Sequence, residues 1–138
     1  MSQDEVRAFL SEGTRTGKLG TLMKDGTPHV MPIWFVLDGD DIVFNTGADS
    51  VKGRHITGDG RVSMLVDDER PPYAFVHIRG RAFATENPSE NLEWATRIGE
   101  RYMGSERARE FGERNSVQGE LLVRLTPQRT IARTGVAD

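Results

Sequence analysis

The stretch that decides the fold is LGTLMKDGTPHVMPIWFVLDGDDIVFN, residues 19–45. It consists of three runs rich in β-branched and aromatic residues, and two short turns containing aspartate and glycine separate them. The turns are Lys24-Asp25-Gly26 and Asp38-Gly39-Asp40. Because turns this short join neighbouring antiparallel strands, the stretch predicts two consecutive β-hairpins, with strands over residues 19–23, 28–37 and 42–45.

Helical patterns and further strands surround these hairpins. Ser2 and Glu5 have the spacing of a capping box, and Asn87 precedes a first-turn proline. Helices are predicted over residues 3–12, 49–57, 88–103 and 105–115. Further strands are predicted over residues 62–67, 73–85 with a bend at Gly80, and 121–125, where Pro127 interrupts the strand.

The order of these elements indicates the fold class. It lacks the regular strand–helix–strand alternation of a doubly wound sheet, and its tight turns favour antiparallel hairpins that close into a barrel. A chain of 138 residues is the size of one domain. We therefore expect a single domain, residues 1–138, that is mainly β with flanking helices.

Composition excludes several classes of function. The chain has 18 lysine and arginine residues against 21 aspartate and glutamate residues, a formal net charge of -3, which argues against a general nucleic-acid binder. No apolar run approaches a membrane span, and residues 1–9 lack the pattern of a signal peptide. The absence of cysteine excludes thiol chemistry and favours a cytoplasmic protein. The three histidines lack metal-ligand spacing, so we expect no metal site.

The clearest candidate for a phosphate site is NTGADSVKGRH, residues 45–55. A strand end followed by the first turn of a helix offers backbone N–H groups, hydroxyls and cations to a single phosphate. The candidate donors are Thr46, Ser50, Lys52 and Arg54. The alternative is a turn capped by Asp49 or Ser50 whose basic side chains are simply solvated, and the spacing alone leaves both open.

The segment PHVMPIWFV, residues 28–36, is the candidate surface for a planar ring. Pro32 has no N–H to give a neighbouring strand, so this strand should lie at a sheet edge or carry a bulge. Alternation places Met31, Ile33 and Phe35 on one face and Val30, Pro32 and Trp34 on the other. One set can then fill the barrel while Trp34 lines an outer pocket or a dimer seam; packing of both faces into core and interface is the alternative.

The sequence gives weaker evidence for catalytic side chains. His77 alternates with Phe75 and Arg79, and it is either a polar group on an outward face or a proton donor near a pocket. There is no G-x-S-x-G motif and no serine with an obvious histidine partner, so hydrolase chemistry has no support.

Taken in order, these segments resemble the F420-dependent oxidoreductases (FDOR-B type) of the pyridoxamine-phosphate-oxidase-like split-barrel group. The resemblance covers almost the whole chain. Besides the opening helix, it is carried by Gly20-Thr21-Leu22, residues 28–35, Phe44-Asn45-Thr46, residues 50–56, residues 61–66 and Arg79-Gly80-Arg81-Ala82.

The resemblance implies a homodimer of six-stranded antiparallel split β-barrels with two equivalent cofactor sites between the subunits. It assigns phosphate binding to the segment with Ser50, Lys52 and Arg54, and ring contacts to the strand from Met31 to Phe35. The anionic tail of F420 would favour a cationic groove. The candidates for that groove are Lys52, Arg54, Arg61 and Arg79.

The implied activity is that of an F420H2-dependent reductase that transfers a hydride to an electron-poor small molecule. No catalytic residue is assigned, and His77, Tyr73 and water all stay open as the proton source. Two alternatives also stay open: an FMN-dependent oxidoreductase, whose ribityl phosphate would use the same donors, and a protein that binds F420 or flavin without turnover. The chain lacks the additional C-terminal elements expected of a true pyridoxamine phosphate oxidase, so vitamin B6 oxidation is not expected.

Overall fold

A computed structural model describes all residues, 1–138, and contains one seven-stranded antiparallel sheet and four α-helices. The strands are β1 (Gly17–Leu22), β2 (Pro28–Ile33), β3 (Val36–Asp38), β4 (Asp41–Gly47), β5 (Arg61–Asp68), β6 (Ala74–Thr85) and β7 (Glu120–Arg133). The helices are α1 (Gln3–Ser11), α2 (Val51–Gly58), α3 (Pro88–Met103) and α4 (Ala108–Arg114), with a 3₁₀ turn at Ser105–Arg107. None of these helices combines the length and the apolar character needed to cross a bilayer.

The strand order explains why the sheet closes. The order is β2-β1-β5-β6-β7-β4-β3, so β2 and β3 lie at opposite edges of the sheet. Only Trp34 and Phe35 separate these two strands along the chain. A two-residue link can join the two edges only if the sheet curls until they meet, and the expected mainly-β split barrel with flanking helices is confirmed.

Two details of the predicted strands are corrected. The expected six strands are seven, because Trp34 and Phe35 divide the run over residues 28–37 into β2 and β3. Pro32 lies on an edge strand, as predicted, where its missing N–H leaves no neighbour unpaired. Ile33 and Phe35 are buried, but the side chain of Met31 is 42% exposed and does not fill the barrel, because β2 has no neighbour on its outer side.

The core is built from the inward-facing side chains of the strands. Its fully buried members include Leu19, Phe44, Met64, Val76 and Val123. Helix α1 adds Leu10 to this cluster. Val43 and Leu122, which precede Phe44 and Val123, are buried on the opposite face of the sheet against Trp94 of α3. The predicted capping box fixes the start of α1: the Ser2 hydroxyl accepts from the Glu5 N–H at 3.1 Å, and Glu5 accepts from the Ser2 N–H at 3.2 Å.

The predicted bend at Gly80 is a β-bulge, and it accommodates Pro127. The pairing of β6 with β7 shifts register between Arg79 and Gly80, so Gly80 lies opposite Pro127 and Gln128 has no partner. The prediction that Pro127 interrupts the last strand is therefore wrong, since β7 continues through it. Gly80 is required there because an added Cβ would lie 2.1 Å from the Thr126 carbonyl oxygen.

Two adjacent side chains of α3 hold the link between β2 and β3. The Arg101 guanidinium donates to the carbonyl oxygens of Leu10 (2.7 Å), Gly13 (3.0 Å) and Phe35 (2.7 Å). The Tyr102 hydroxyl accepts from the Phe35 N–H at 3.2 Å and donates to the Arg15 carbonyl at 2.8 Å. Burial raises the pKa of Tyr102, so the hydroxyl keeps the proton that it donates. We call Arg101 and Tyr102 the α3 anchor.

Replacing Gly80 with alanine tests the close approach at the bulge. The new methyl group would overlap the β7 backbone, so we expect Gly80→Ala to lower the free energy of unfolding by about 1–3 kcal/mol, the range for overpacking. Gly58→Ala is the matched control, since a Cβ at Gly58 meets nothing within 4 Å. Urea unfolding measures both variants, and equal stability of the two would contradict the assignment.

Replacing Tyr102 with phenylalanine tests the α3 anchor. The variant removes one hydroxyl that satisfies two buried backbone groups, and we expect a loss of about 1–3 kcal/mol of unfolding free energy. Tyr73→Phe is the control, because the Tyr73 side chain is 43% exposed and its hydroxyl makes no hydrogen bond. If thermal unfolding finds the two variants equally stable, the Tyr102 hydroxyl does not hold the link.

Candidate functional site

A cavity of about 370 Å³ lies where the end of β2, the β4–α2 connection and the start of β7 meet. It is open to solvent and lies between two segments that the sequence singled out separately. Its lining consists of Pro32, Ile33, Trp34, Asn45, Thr46, Gly47, Ser50, Lys52, Ile98, Asn115 and Glu120. We call it the α2 cavity.

One end of the α2 cavity is the N-terminus of α2. The Ser50 hydroxyl accepts from the Gly53 N–H at 3.0 Å and donates to the Gly47 carbonyl at 2.7 Å. Since its single proton is used there, the hydroxyl of Thr46, 2.9 Å away, donates to it. Both hydroxyls are thus satisfied within the turn, and they shape the turn rather than point at a ligand.

The donors left free at this end are main-chain and cationic. The N–H groups of Val51 and Lys52 have no acceptor, as is usual in the first turn of a helix. Gly53 permits the tight turn beneath them, because a Cβ there would lie 2.2 Å from the Gly47 carbonyl oxygen. Unpaired N–H groups, the positive end of the helix dipole and the Lys52 ammonium together favour an anion.

Lys52 shares the cavity with a carboxylate. Its half-buried side chain makes no ion pair, and Glu120 also lines the cavity without a hydrogen bond to its carboxylate. Burial raises the pKa of Glu120, and the charge of Lys52 opposes that rise. This end of the α2 cavity therefore contains one cation and one carboxylate.

Buried amides fix the wall that carries Glu120. Asn91 of α3 is 3% exposed; it donates to the Glu120 carbonyl oxygen at 3.0 Å and accepts from the Asn45 side chain at 3.2 Å. Strand pairing places Glu120 opposite Gly47 in the β4–β7 ladder. The relative positions of the α2 N-terminus and Glu120 are thus set by backbone pairing and by one buried side chain.

The other end of the cavity is apolar and aromatic. The Trp34 indole stacks on the Tyr102 ring with centroids 5.1 Å apart and planes 5° apart. Pro32, Ile33 and Ile98 complete this end. A flat, apolar surface beside an anion site fits a planar ring that carries a phosphate-bearing chain.

The α2 cavity brings together six of the predicted cofactor residues: Pro32, Ile33, Trp34, Thr46, Ser50 and Lys52. The other five lie elsewhere. Phe35 has no exposed surface and lies beneath the Arg101 guanidinium, so it cannot contact a ligand, which corrects that prediction. Met31 and Arg54 are exposed outside the cavity, and Arg79 is exposed on β6 without an ion pair.

The side chain of Arg61 is bound to an aspartate of the turn between α2 and β5. It donates to both oxygens of Asp59, at 2.7 and 2.8 Å, and these hydrogen bonds lower the pKa of Asp59 to about 2. An arginine bound in this way must give up a bidentate partner before it can bind a ligand phosphate.

Sequence reasoning missed the residues that distant elements contribute. Ile98, Asn115 and Glu120 reach the cavity because α3 packs beside β4 and because β7 pairs with β4. No local pattern marks them. Asn45 did have a signal, since it begins the segment that was singled out for phosphate.

The histidines lie outside the α2 cavity. His55 is hydrogen-bonded through Nδ1 to the Thr21 hydroxyl at 2.7 Å, and the His29 ring meets it edge-on with centroids 5.5 Å apart. His77 is hydrogen-bonded to Ser63 at 2.6 Å, which corrects the expectation that no serine has a histidine partner. Strand pairing, which the sequence does not reveal, brings these two together, and no carboxylate bonds the other ring nitrogen.

A larger cavity of about 790 Å³ lies between α1 and the second half of β7. Its lining includes all residues from Thr126 to Arg133. Because side chains alternate between the two faces of a strand, such a continuous run indicates that the cavity lies along the edge of the strand. None of the predicted cofactor residues lines it. Size alone therefore does not select it over the α2 cavity.

Comparison with protein families matches residues 2–133 to the family described as pyridoxamine 5'-phosphate oxidase. Among solved structures, the chain is similar to the conserved hypothetical protein Rv2991 from Mycobacterium tuberculosis. The sequence identity is 30% and the TM-score 0.86, and the match covers 98% of this chain and 86% of that chain.

Two further solved structures share the fold. A protein described as an F420 reductase is 24% identical with a TM-score of 0.71, over 90% of this chain and 94% of that chain. The heme storage protein HutZ from Vibrio cholerae is 20% identical with a TM-score of 0.76, over 99% and 98%. At these identities the likeness concerns the fold alone. Comparison with curated proteins found no match.

Proposed function

The chain belongs to the pyridoxamine 5'-phosphate oxidase family, and we propose that it is an F420H2-dependent reductase that transfers a hydride to an electron-poor small molecule. The observation that carries this proposal is the α2 cavity, in which an anion site with Lys52 adjoins an aromatic wall with Trp34. This arrangement fits a deazaflavin, whose ring and phosphate need both surfaces at once.

When bound, F420 itself supplies the hydride chemistry. The residues of this chain bind and orient it: the free N–H groups of α2 and Lys52 hold the phosphate, and Trp34 with Ile33 supports the ring. We assign no proton donor, because water entering the open cavity can provide the proton. The fold of the F420 reductase named above supports the proposal without deciding the cofactor.

Heme is a poorer fit to the α2 cavity than a flavin or deazaflavin. Heme iron is held by an axial histidine, cysteine, methionine or tyrosine. None of the eleven lining residues is of these types, and the histidines lie outside. FMN remains the second candidate, since its ribityl phosphate would use the same donors as that of F420.

The proposal includes a homodimer with the cofactor at the subunit interface. Val30 and Pro32 lie on the same face of the edge strand as Leu65 of β5, because Lys18 pairs with both Pro32 and Leu65, and Val30 and Leu65 are 62% and 37% exposed. Apolar side chains in such number on one side of a sheet are typical of a surface that a partner covers. Since this surface adjoins the α2 cavity at Pro32, a second copy there would cover the open side of the ring.

Cofactor titration followed by turnover tests the function. We expect F420 to bind more tightly than FMN, and F420H2 to be oxidised only when the protein and a conjugated enone are both present. Absorbance distinguishes the two rings and follows the oxidation. Binding of FMN with no binding of F420 would favour the flavin oxidoreductase, and F420H2 that stays reduced with every acceptor would favour a binding protein.

Lys52→Ala tests the phosphate end separately. Removing the ammonium takes away one charge-assisted hydrogen bond, so we expect F420 binding to weaken by about 1.5–3 kcal/mol. Fluorescence titration measures the affinity. Lys24→Ala removes the same charge from an exposed turn and should leave the affinity unchanged. Equal affinities of the two variants would exclude Lys52 from the site.

A further inference from the structure

We infer that Glu120 biases the α2 cavity toward a phosphate diester, which carries one negative charge, and against a phosphate monoester, which carries up to two. The inference rests on the proposed function, because it names the feature of the cofactor that the proposed site selects. The phosphate of F420 is a diester and that of FMN a monoester, so Glu120 is the residue that distinguishes the two cofactors.

The first step is the count of charges around the phosphate position. Among the eleven residues that line the α2 cavity, only Lys52 and Glu120 are ionisable. Arg54 is exposed outside the cavity, and Arg61 is bound to Asp59. Side chains therefore supply one positive and one negative charge, with the partial positive charge of the α2 N-terminus added to them.

The second step is that hydrogen bonds and strand pairing fix the backbone of Glu120 beside the cavity. Its N–H donates to the Val117 carbonyl at 3.0 Å, and its carbonyl accepts from Asn91 at 3.0 Å. Its Cα is paired with that of Gly47 across the β4–β7 ladder. The backbone of Glu120 is thus fixed beside the cavity that its side chain lines, and no hydrogen bond within the chain compensates the charge of its carboxylate.

The third step is electrostatic. The repulsion between Glu120 and a bound phosphate is proportional to the charge of that phosphate. A monoester carries about -1.5 to -2 near neutral pH, whereas a diester carries one negative charge. The monoester therefore experiences up to twice the repulsion from Glu120, and this repulsion offsets the stronger attraction that the second charge gains from Lys52 and the α2 N-terminus.

The fourth step concerns the strength of this effect. Glu120 is half-buried, and burial raises the pKa of its carboxyl while the charge of Lys52 opposes that rise. Charges in such a position are less screened by solvent than charges on the open surface. The repulsion is consequently stronger than it would be between the same charges on the open surface.

The experiment compares two ligands that share one ring. FMN and its methyl phosphate diester differ only in the charge and methyl group of the phosphate, and at pH 8 FMN is a dianion. Their affinities are measured by flavin fluorescence for the unmodified protein, for Glu120→Gln and for Glu86→Gln. The last variant removes the same charge from an exposed residue outside the cavity.

We expect the ratio of the affinity for the diester to the affinity for FMN to fall about threefold in Glu120→Gln. Because the repulsion scales with ligand charge, Glu120→Gln should improve binding of the diester about threefold and binding of FMN about tenfold. Glu86→Gln should change neither affinity. Thermal unfolding of each variant checks that it is folded.

Three outcomes would overturn the inference. Unchanged or weaker binding of FMN in Glu120→Gln would show that the carboxylate does not repel the bound phosphate. An equal gain in affinity for both ligands in Glu120→Gln would show that Glu120 does not discriminate between them by charge. Binding of neither flavin nor F420 would remove the proposed function as well, whereas the first two outcomes leave F420 binding intact.

Discussion

The hydrogen bonds of the α3 anchor to the link between β2 and β3 are the interaction on which the rest of the structure depends. Trp34 and Phe35 carry the chain from one edge of the sheet to the other, at a point where neither residue belongs to a strand. Their main-chain groups would be unpaired in a buried position, which is costly. Arg101 and Tyr102 satisfy the N–H and the carbonyl of Phe35 and connect them to the α1–β1 turn.

The same link forms one end of the candidate site. The Trp34 ring is held against Tyr102, so the residue that anchors the backbone also orients the aromatic wall of the α2 cavity. The other end depends on the β4–β7 ladder and on Asn91, which set the α2 N-terminus against Glu120. Neither end is built from one continuous segment, and a binding surface for a ring and a phosphate arises only when the sheet has closed.

Features that depend on interactions between residues close in sequence could be predicted, whereas features that depend on the pairing of distant strands could not. Capping boxes, tight turns and a proline without an N–H act over a few residues, so α1, the hairpins and the edge position of Pro32 were predictable. The segment around Lys52 also carried its own pattern. Glu120 and the Ser63–His77 pair depend on which strands become neighbours, and Met31 is exposed because β2 has no outer neighbour. Local patterns contain no information on such pairings.

The two-residue length of the link has a consequence for how this chain can vary. Side chains alternate between the faces of a strand, so adding or removing one residue at positions 34–35 would exchange the inner and outer sides of β3 relative to β2. It would also detach Phe35 from its partners on α3. Insertions and deletions should therefore be absent from this position among homologous chains and accumulate at the Lys24–Gly26 turn, which is exposed and contacts nothing on which closure depends.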